Sequence, residues 1–154
     1  MNSTPLEFLK AAVGTNKLSH AYLFSGNDKE AQLKAALLVA ELLEINSADV
    51  ISLELNAIEQ VRVLAQRLSL SPWASPFKIV ILQDIHKATQ DAQSALLKLL
   101  EEPRGDTVFF LLTSFPFLLL PTLRSRAQEI RFWKFPQEAG SPFKFRFSVC
   151  DTFL

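Results

Sequence analysis

Short, continuous apolar runs that alternate with helical patterns constrain the fold of this chain most strongly. The runs Ala21–Phe24, Ile79–Leu82 and Val108–Leu112 have no polar alternation, which is typical of strands that are covered on both faces. Between the runs, apolar residues recur at helical spacing, as over residues 28–43 and 89–102. Strands that alternate with helices favour right-handed crossovers, so we predict an α/β protein with a parallel sheet and helices on both faces.

The same patterns predict the positions of the strands and of one sharp turn. Strands are expected near residues 21–25, 50–55, 78–83, 108–113 and 127–132. Gly-Asn-Asp at residues 26–28 predicts a turn at the carboxyl end of the first strand, because these residue types tolerate conformations that end a strand. Asp28 is also a suitable N-cap for the helix that follows. The first helix is expected to begin at Thr4 and to end at Gly14.

Length, charge and cysteine content favour a single domain and argue against a basic nucleic-acid binder and a cysteine-based zinc protein. A chain of 154 residues suits one domain. Its 16 basic and 16 acidic residues give a formal charge of +0, unlike the strongly basic character of an autonomous nucleic-acid binder. The single cysteine, Cys150, excludes an internal disulfide and a cysteine-based zinc site within this sequence, and His20 and His86 lack partners at metal-ligand spacing. We therefore expect no metal and no cofactor.

The hydropathy pattern predicts neither a membrane span nor a signal peptide. No apolar run approaches the roughly 18 residues that a membrane span requires. The first twenty residues mix polar and apolar side chains, without the continuous apolar core of a signal peptide. We expect a soluble, cytoplasmic protein with no membrane contact.

Three segments carry motifs whose order and spacing point to a family. They are Leu18–Gly26, Ala95–Pro103 (ALLKLLEEP) and Leu123–Ala127 (LRSRA). Together they resemble the clamp-loader branch of the AAA+ ATPases, the delta-prime and gamma/tau subunits of bacterial DNA polymerase III. The first is similar to the family's entry into its phosphate-binding loop, the second to its ALLKTLEEP helix, and the third to its serine-arginine-cysteine signature, with alanine in place of the cysteine. The resemblance covers about residues 5–135.

The resemblance implies a fold, a set of partners and a division of the chain. It implies a five-stranded parallel AAA+ sheet and a role in clamp loading for DNA replication, with gamma/tau ATPases and the delta subunit as partners. Primed DNA and the sliding clamp would be contacted indirectly. Residues 1–136 would form the ATPase-like domain and residues 137–154 an atypical tail, in which Phe143–Phe147 alternates apolar and basic residues. The resemblance also implies lid and collar domains beyond this length, so we expect this sequence to be a fragment or a truncated gene product that holds the N-terminal domain.

The phosphate-binding loop of such ATPases, G-x-x-x-x-G-K-[ST], is incomplete here. Its glycines let backbone amides approach the phosphates, its lysine meets their charge, and its hydroxyl binds magnesium. Gly26 retains the first glycine. Ala31, Gln32 and Leu33 stand where the second glycine, the lysine and the hydroxyl residue belong. A triphosphate and its Mg²⁺ would therefore lack their main protein ligands.

A second part of the nucleotide site is also altered. The strand over residues 78–83 should end in two carboxylates, one for magnesium and one for the attacking water, but the sequence has Gln83 followed by Asp84. Thr113 stands at the family's polar sensor of the γ-phosphate, and we interpret it here as a hydrogen-bonding residue at a strand end. Two independent losses predict that this chain does not hydrolyse ATP by itself.

The arginine of the third motif is the candidate catalytic residue. The resemblance implies that Arg126 reaches across a subunit interface to the γ-phosphate of ATP held by a neighbour, as an arginine finger in trans. Its planar fork suits phosphate oxygens, and such fingers accelerate related phosphoryl transfers by about 10³–10⁵. Arg124 and Ser125 are predicted to belong to the same interface. Arg126 is expected to lie on the surface with few partners of its own.

Two other functions remain open at this point. The chain could be an active AAA+ ATPase with a non-standard loop, in which Lys29 or Lys34 binds the phosphates. It could also be a nucleic-acid-binding module, since residues 122–146 contain six basic and two acidic residues interleaved with aromatic ones.

Overall fold

The computed structural model describes residues 4–102 and 106–134, and within them a five-stranded sheet. Its strands are β1 (Ala21–Ser25), β2 (Val50–Glu54), β3 (Lys78–Gln83), β4 (Thr107–Thr113) and β5 (Gln128–Arg131). Their spatial order is β2-β3-β4-β1-β5, and every hydrogen-bonded pair among them is parallel. The predicted α/β class and parallel sheet are confirmed. The expected tail at 137–154, with Cys150 and Phe143–Phe147, lies outside the described residues.

Two strands are shorter than the sequence predicted, and the reasons are local. β2 ends at Glu54, which pairs with Gln83, the last residue of β3. The next residue, Asp84, has φ 47° and ψ 45°, so the ladder does not continue. At the other side of the sheet, the amide of Ala127 bonds to the carbonyl of Arg124 and still belongs to the turn that precedes β5.

Five α-helices connect and flank the strands of the described chain, and side chains cap three of them. They are α1 (Pro5–Gly14), α2 (Lys29–Leu42), α3 (Ile58–Ser69), α4 (Gln90–Glu101) and α5 (Pro121–Ser125), with 3₁₀ turns at Ser47–Asp49, Ile85–Lys87 and Pro116–Leu118. The side chains of Thr4, Asp28 and Thr89 accept hydrogen bonds from the first turns of α1, α2 and α4. No helix in the described part of the chain is long and apolar enough to cross a membrane.

Two apolar cores cover the two faces of the sheet. On one face α1 and α2 pack over an aromatic group, in which the rings of Tyr22 and Phe110 stack at 5.5 Å and those of Phe24 and Phe132 lie 4.9 Å apart. On the other face α3, α4 and α5 pack over the alternate strand positions. This double cover explains why β1, β3 and β4 are continuous apolar runs.

Because all five strands are parallel, the sheet has one carboxyl edge and one amino edge. The residues that follow β1, β3 and β4 meet at the carboxyl edge, which is where open α/β sheets bind ligands. The residues that precede β5 lie at the amino edge, since Gln128 pairs with Tyr22 near the start of β1. The two groups of predicted site residues therefore occupy opposite edges.

Candidate nucleotide site and interface arginine

The connection from β1 to α2 is only three residues long and is held against β4 and β5. Gly26 has φ 129°, a conformation that residues with a Cβ rarely adopt. Its amide donates to the carbonyl of Thr113 at 3.1 Å, and the amide of Asp28 donates to the carbonyl of Phe132 at 3.3 Å. The predicted turn is present, but it is tight and α2 begins at once at Lys29.

Three positions of the phosphate-binding motif lie in the helix that follows β1, which begins at Lys29. Ala31, Gln32 and Leu33 lie in the first turns of α2. The Ala31 amide donates to the Asp28 carboxylate at 3.1 Å, and the Gln32 amide donates to the Asp28 carbonyl at 3.1 Å. Helix N-termini bind anions through free amides. Here a carboxylate of the chain itself already caps the helix.

Gln32, which the motif spacing predicts at the position of the family's lysine, is 1% exposed. Its Nε2 donates to the carbonyl of Gly26 at 3.0 Å and to the carbonyl of Thr113 at 3.3 Å. An amide nitrogen carries two donors, so both are used. Leu33, at the position of the hydroxyl residue, packs against the core beneath α1 and α2. The Gln32 side chain thus bridges the carboxyl ends of β1 and β4.

We expect Gln32→Met to lower the free energy of unfolding by about 1–3 kcal/mol, because it removes two buried hydrogen bonds at nearly constant volume. Chemical denaturation of the isolated chain measures this. Gln66→Met on the exposed side of α3 is the control, expected to change stability by less than about 0.5 kcal/mol. Equal, negligible effects of the two changes would show that the Gln32 tether is not stabilising.

The end of β3 is also occupied by contacts within the chain. Gln83 Nε2 donates to the Ser52 hydroxyl at 3.0 Å. The Asp84 carboxylate lies 2.8 Å from Lys29 Nζ and 3.3 Å from Lys87 Nζ. Partial burial raises the pKa of the Asp84 carboxyl, but hydrogen bonds and charge from these two lysines outweigh it and hold that pKa below its usual value. Asp84 is therefore a paired anion between two cations.

His86 also lies at the carboxyl edge, where it contacts a residue that its neighbours in the sequence did not indicate. Its Nδ1 lies 2.9 Å from the Thr113 hydroxyl oxygen, and the Phe115 amide donates a hydrogen bond of 3.0 Å to that same oxygen. Burial is the main cause that lowers the pKa of the His86 imidazole. The topology was the only available signal, because His86 follows β3 and Thr113 ends the adjacent strand β4. Within the described residues, no group of His, Cys, Asp and Glu could hold a metal.

Arg126 lies at the end of α5, on the surface at the amino edge. Its side chain is 54% exposed, and Nη2 forms an ion pair of 3.0 Å with Glu101, the last residue of α4. Glu101 is the one ion-pair partner of Arg126 among the described residues. Sequence reasoning expected few partners and did not anticipate this pair.

The two other residues of the motif have different surroundings. Arg124 Nη2 pairs at 3.3 Å with Glu129, whose side chain is only 11% exposed. Glu129 also accepts a hydrogen bond of 2.8 Å from the Ser25 hydroxyl. The Ser125 hydroxyl donates to the carbonyl of Thr122 at 2.8 Å. Arg124 is thus held to the sheet, whereas Arg126 is held only by another surface side chain.

Arg126 is too far from Gly26 to act on a ligand at the carboxyl edge of its own chain. The length of β1 separates the two edges by about 15 Å, at roughly 3.3 Å per residue. The phosphate that Arg126 could contact would have to be supplied by another molecule.

Comparison with known proteins decides the family. The family model described as DNA polymerase III, delta subunit, matches residues 44–136, more than half of the chain. The chain belongs to this family. It is 28% identical over 155 residues to DNA polymerase III subunit tau of Bacillus subtilis, with 85% of this chain and 28% of tau aligned.

Two further relatives agree with this family assignment. DNA polymerase III subunit delta' of Bacillus subtilis is 29% identical over 151 residues, with 82% of this chain and 46% of delta' aligned. The crystal structure of a DNA polymerase III gamma subunit-related protein from Thermotoga maritima superposes with a TM-score of 0.72 at 28% identity, covering 84% of this chain and 46% of that one. The chain is a clamp-loader-related AAA+ subunit, and it spans less than half the length of each of these relatives.

Proposed function

We propose that this chain is a delta-prime-like clamp-loader subunit that does not hydrolyse ATP and lends Arg126 to ATP held by a neighbouring gamma/tau subunit. One observation carries the proposal. The chain's own carboxyl edge is filled by internal hydrogen bonds, while an exposed arginine stands at the opposite edge. Such a subunit would serve as a stator in loading sliding clamps onto primed DNA.

The geometry of the degenerate site supports the loss of hydrolysis. A phosphate would have to displace the Asp28 cap from α2 and the Gln32 amide from two carbonyls. Gln83, an amide, stands where the family has the carboxylate that binds magnesium. The remaining acid, Asp84, is already paired with Lys29 and Lys87. No cofactor is required for a subunit that acts through the charge of Arg126.

The partners follow from the same proposal. The gamma/tau ATPases would supply the nucleotide, the delta subunit would complete the assembly, and DNA and the clamp would be contacted through the complex. We propose residues 1–136 as the ATPase-like domain that presents the arginine.

The alternative of an active ATPase with a non-standard loop requires a free lysine. Lys29 is paired with Asp84 at 2.8 Å, and Lys34 is paired with Glu30 at 2.7 Å on the exposed side of α2. Phosphate binding would have to compete with both carboxylates.

The alternative of a nucleic-acid-binding module requires an unpaired basic surface. In the described part of residues 122–146, every basic side chain faces a carboxylate within 4 Å. The pairs are Arg124–Glu129, Arg126–Glu101, Arg131–Glu129 and Lys134–Asp28. The four basic side chains share three carboxylates, so most of their charge is paired, which favours the clamp-loader proposal.

The test is a calorimetric titration of the isolated chain with Mg²⁺-ATP. We expect no saturable binding up to millimolar nucleotide, because Asp28 caps α2, the Gln32 side chain is bonded to two carbonyls, and the two lysines are paired. Saturable binding at micromolar Kd would contradict the proposal. The Lys29→Ala variant should likewise show no binding. If the wild-type chain did bind ATP and Lys29→Ala did not, the result would support the non-standard ATPase instead.

A further inference from the structure

The ion pair between Glu101 and Arg126 joins the ends of two helices. Glu101 is the last residue of α4 and Arg126 directly follows α5, and both helices pack on the same face of the sheet. The distance from Arg126 Nη2 to Glu101 Oε1 is 3.0 Å, and both side chains are partly exposed, 54% for the arginine and 39% for the glutamate. The pair therefore lies on the protein surface, where another molecule could reach it.

The neighbouring pair serves as an internal comparison. Arg124 binds Glu129, which is 11% exposed and also accepts from the Ser25 hydroxyl, so that guanidinium is fixed inside a network. Arg126 is held at one nitrogen by one surface carboxylate. A guanidinium has five N–H donors in a rigid fork, so a contact at Nη2 leaves donors for another anion.

We propose that Glu101 is a positioning residue for Arg126, an inference that rests on the proposed function. The carboxylate holds one side of the guanidinium and so directs the remaining donors outward, towards the phosphate of the adjoining subunit. Without Glu101 the arginine keeps its charge but samples many rotamers. Fixing its side chain on the phosphate then costs conformational entropy in the transition state. Glu101 would act through Arg126 and would not touch the nucleotide.

Glu102 offers a matched control on the adjacent residue. Its side chain is exposed and has no ion pair within the described ranges 4–102 and 106–134, while its amide closes the last turn of α4 on the carbonyl of Lys98. Removing the Glu102 carboxylate changes the net charge of this surface by the same amount as removing that of Glu101. A general electrostatic effect would therefore appear in both variants, and a positioning effect in one.

The experiment measures steady-state ATP hydrolysis by a loader assembled from this chain and a gamma/tau-type ATPase. Glu101→Ala should lower kcat about three- to tenfold with KM for ATP changed less than twofold, because positioning acts in the transition state. Glu101→Asp should recover part of the rate, and Glu102→Ala should match the wild type. In an Arg126→Ala background, Glu101→Ala should have no further effect.

The outcomes separate this inference from the proposed function. If Arg126→Ala slows hydrolysis but Glu101→Ala does not, or Glu101→Ala accelerates it, the positioning role is wrong and the arginine donor stands. Equal losses in Glu101→Ala and Glu102→Ala would also overturn the positioning role. If Arg126→Ala has no effect, the proposed function itself fails.

Discussion

A Gly26→Ala substitution should cost roughly 4 kcal/mol or more in the free energy of unfolding, enough to unfold a marginally stable domain. The φ of 129° strains any residue with a Cβ, and the added carbon would lie 1.9 Å from the carbonyl oxygen of Phe132. Phe132 cannot move away easily. Its side chain is 2% exposed, and its amide donates to the carbonyl of Ser25 at 2.7 Å.

Gly14→Ala is the matched control for this prediction. Gly14 is the last residue of α1, and a Cβ there would meet nothing within 4 Å. Alanine has the higher helix propensity, so we expect a change between zero and about 1 kcal/mol in favour of the folded state. Denaturant unfolding of both variants measures the difference. A Gly26→Ala chain within about 1 kcal/mol of the wild type would contradict the close approach of β1 and β5.

The fold was predictable because its main signals are local. The interior strands β1, β3 and β4 are apolar runs buried on both faces, and Thr4 and Asp28 each cap the helix that they precede. The end of β2 was harder to predict, because β2 is an edge strand that ends where its partner β3 ends. That end depends on the left-handed Asp84, which has no signature in the apolar pattern.

For the candidate site, the sequence indicated which residues to examine but not the contacts that they make. Motif spacing predicts Gln32 at the position of the family's lysine, and this stays a prediction. The two hydrogen bonds of its side chain were not predictable, because only the sheet brings the carbonyls of residues 26 and 113 together. The contact of His86 with Thr113 has the same origin. The pair of Arg126 and Glu101 depends on the relative packing of α4 and α5. Such contacts between distant segments leave no periodic pattern in the sequence.

The loss of the arginine should have the largest effect on function. In a loader containing an active gamma/tau-type ATPase, Arg126→Ala should slow hydrolysis at the adjoining site by about tenfold or more, because the transition state loses a charged, bidentate donor. Arg126→Lys should recover little, since lysine keeps the charge and lacks the fork. Stability should change by less than about 1 kcal/mol, the usual contribution of an exposed ion pair.

The hydrolysis rate of that assembly, compared between Arg126→Ala and Arg62→Ala, tests the central claim most directly. Arg62 is an exposed arginine of α3 and controls for the loss of one positive charge. The arginine-donor role predicts a loss of about tenfold or more for Arg126→Ala, no loss for Arg62→Ala, and equal amounts of chain in both assemblies. Unaltered hydrolysis in the Arg126→Ala assembly would contradict it and leave the chain a purely structural subunit.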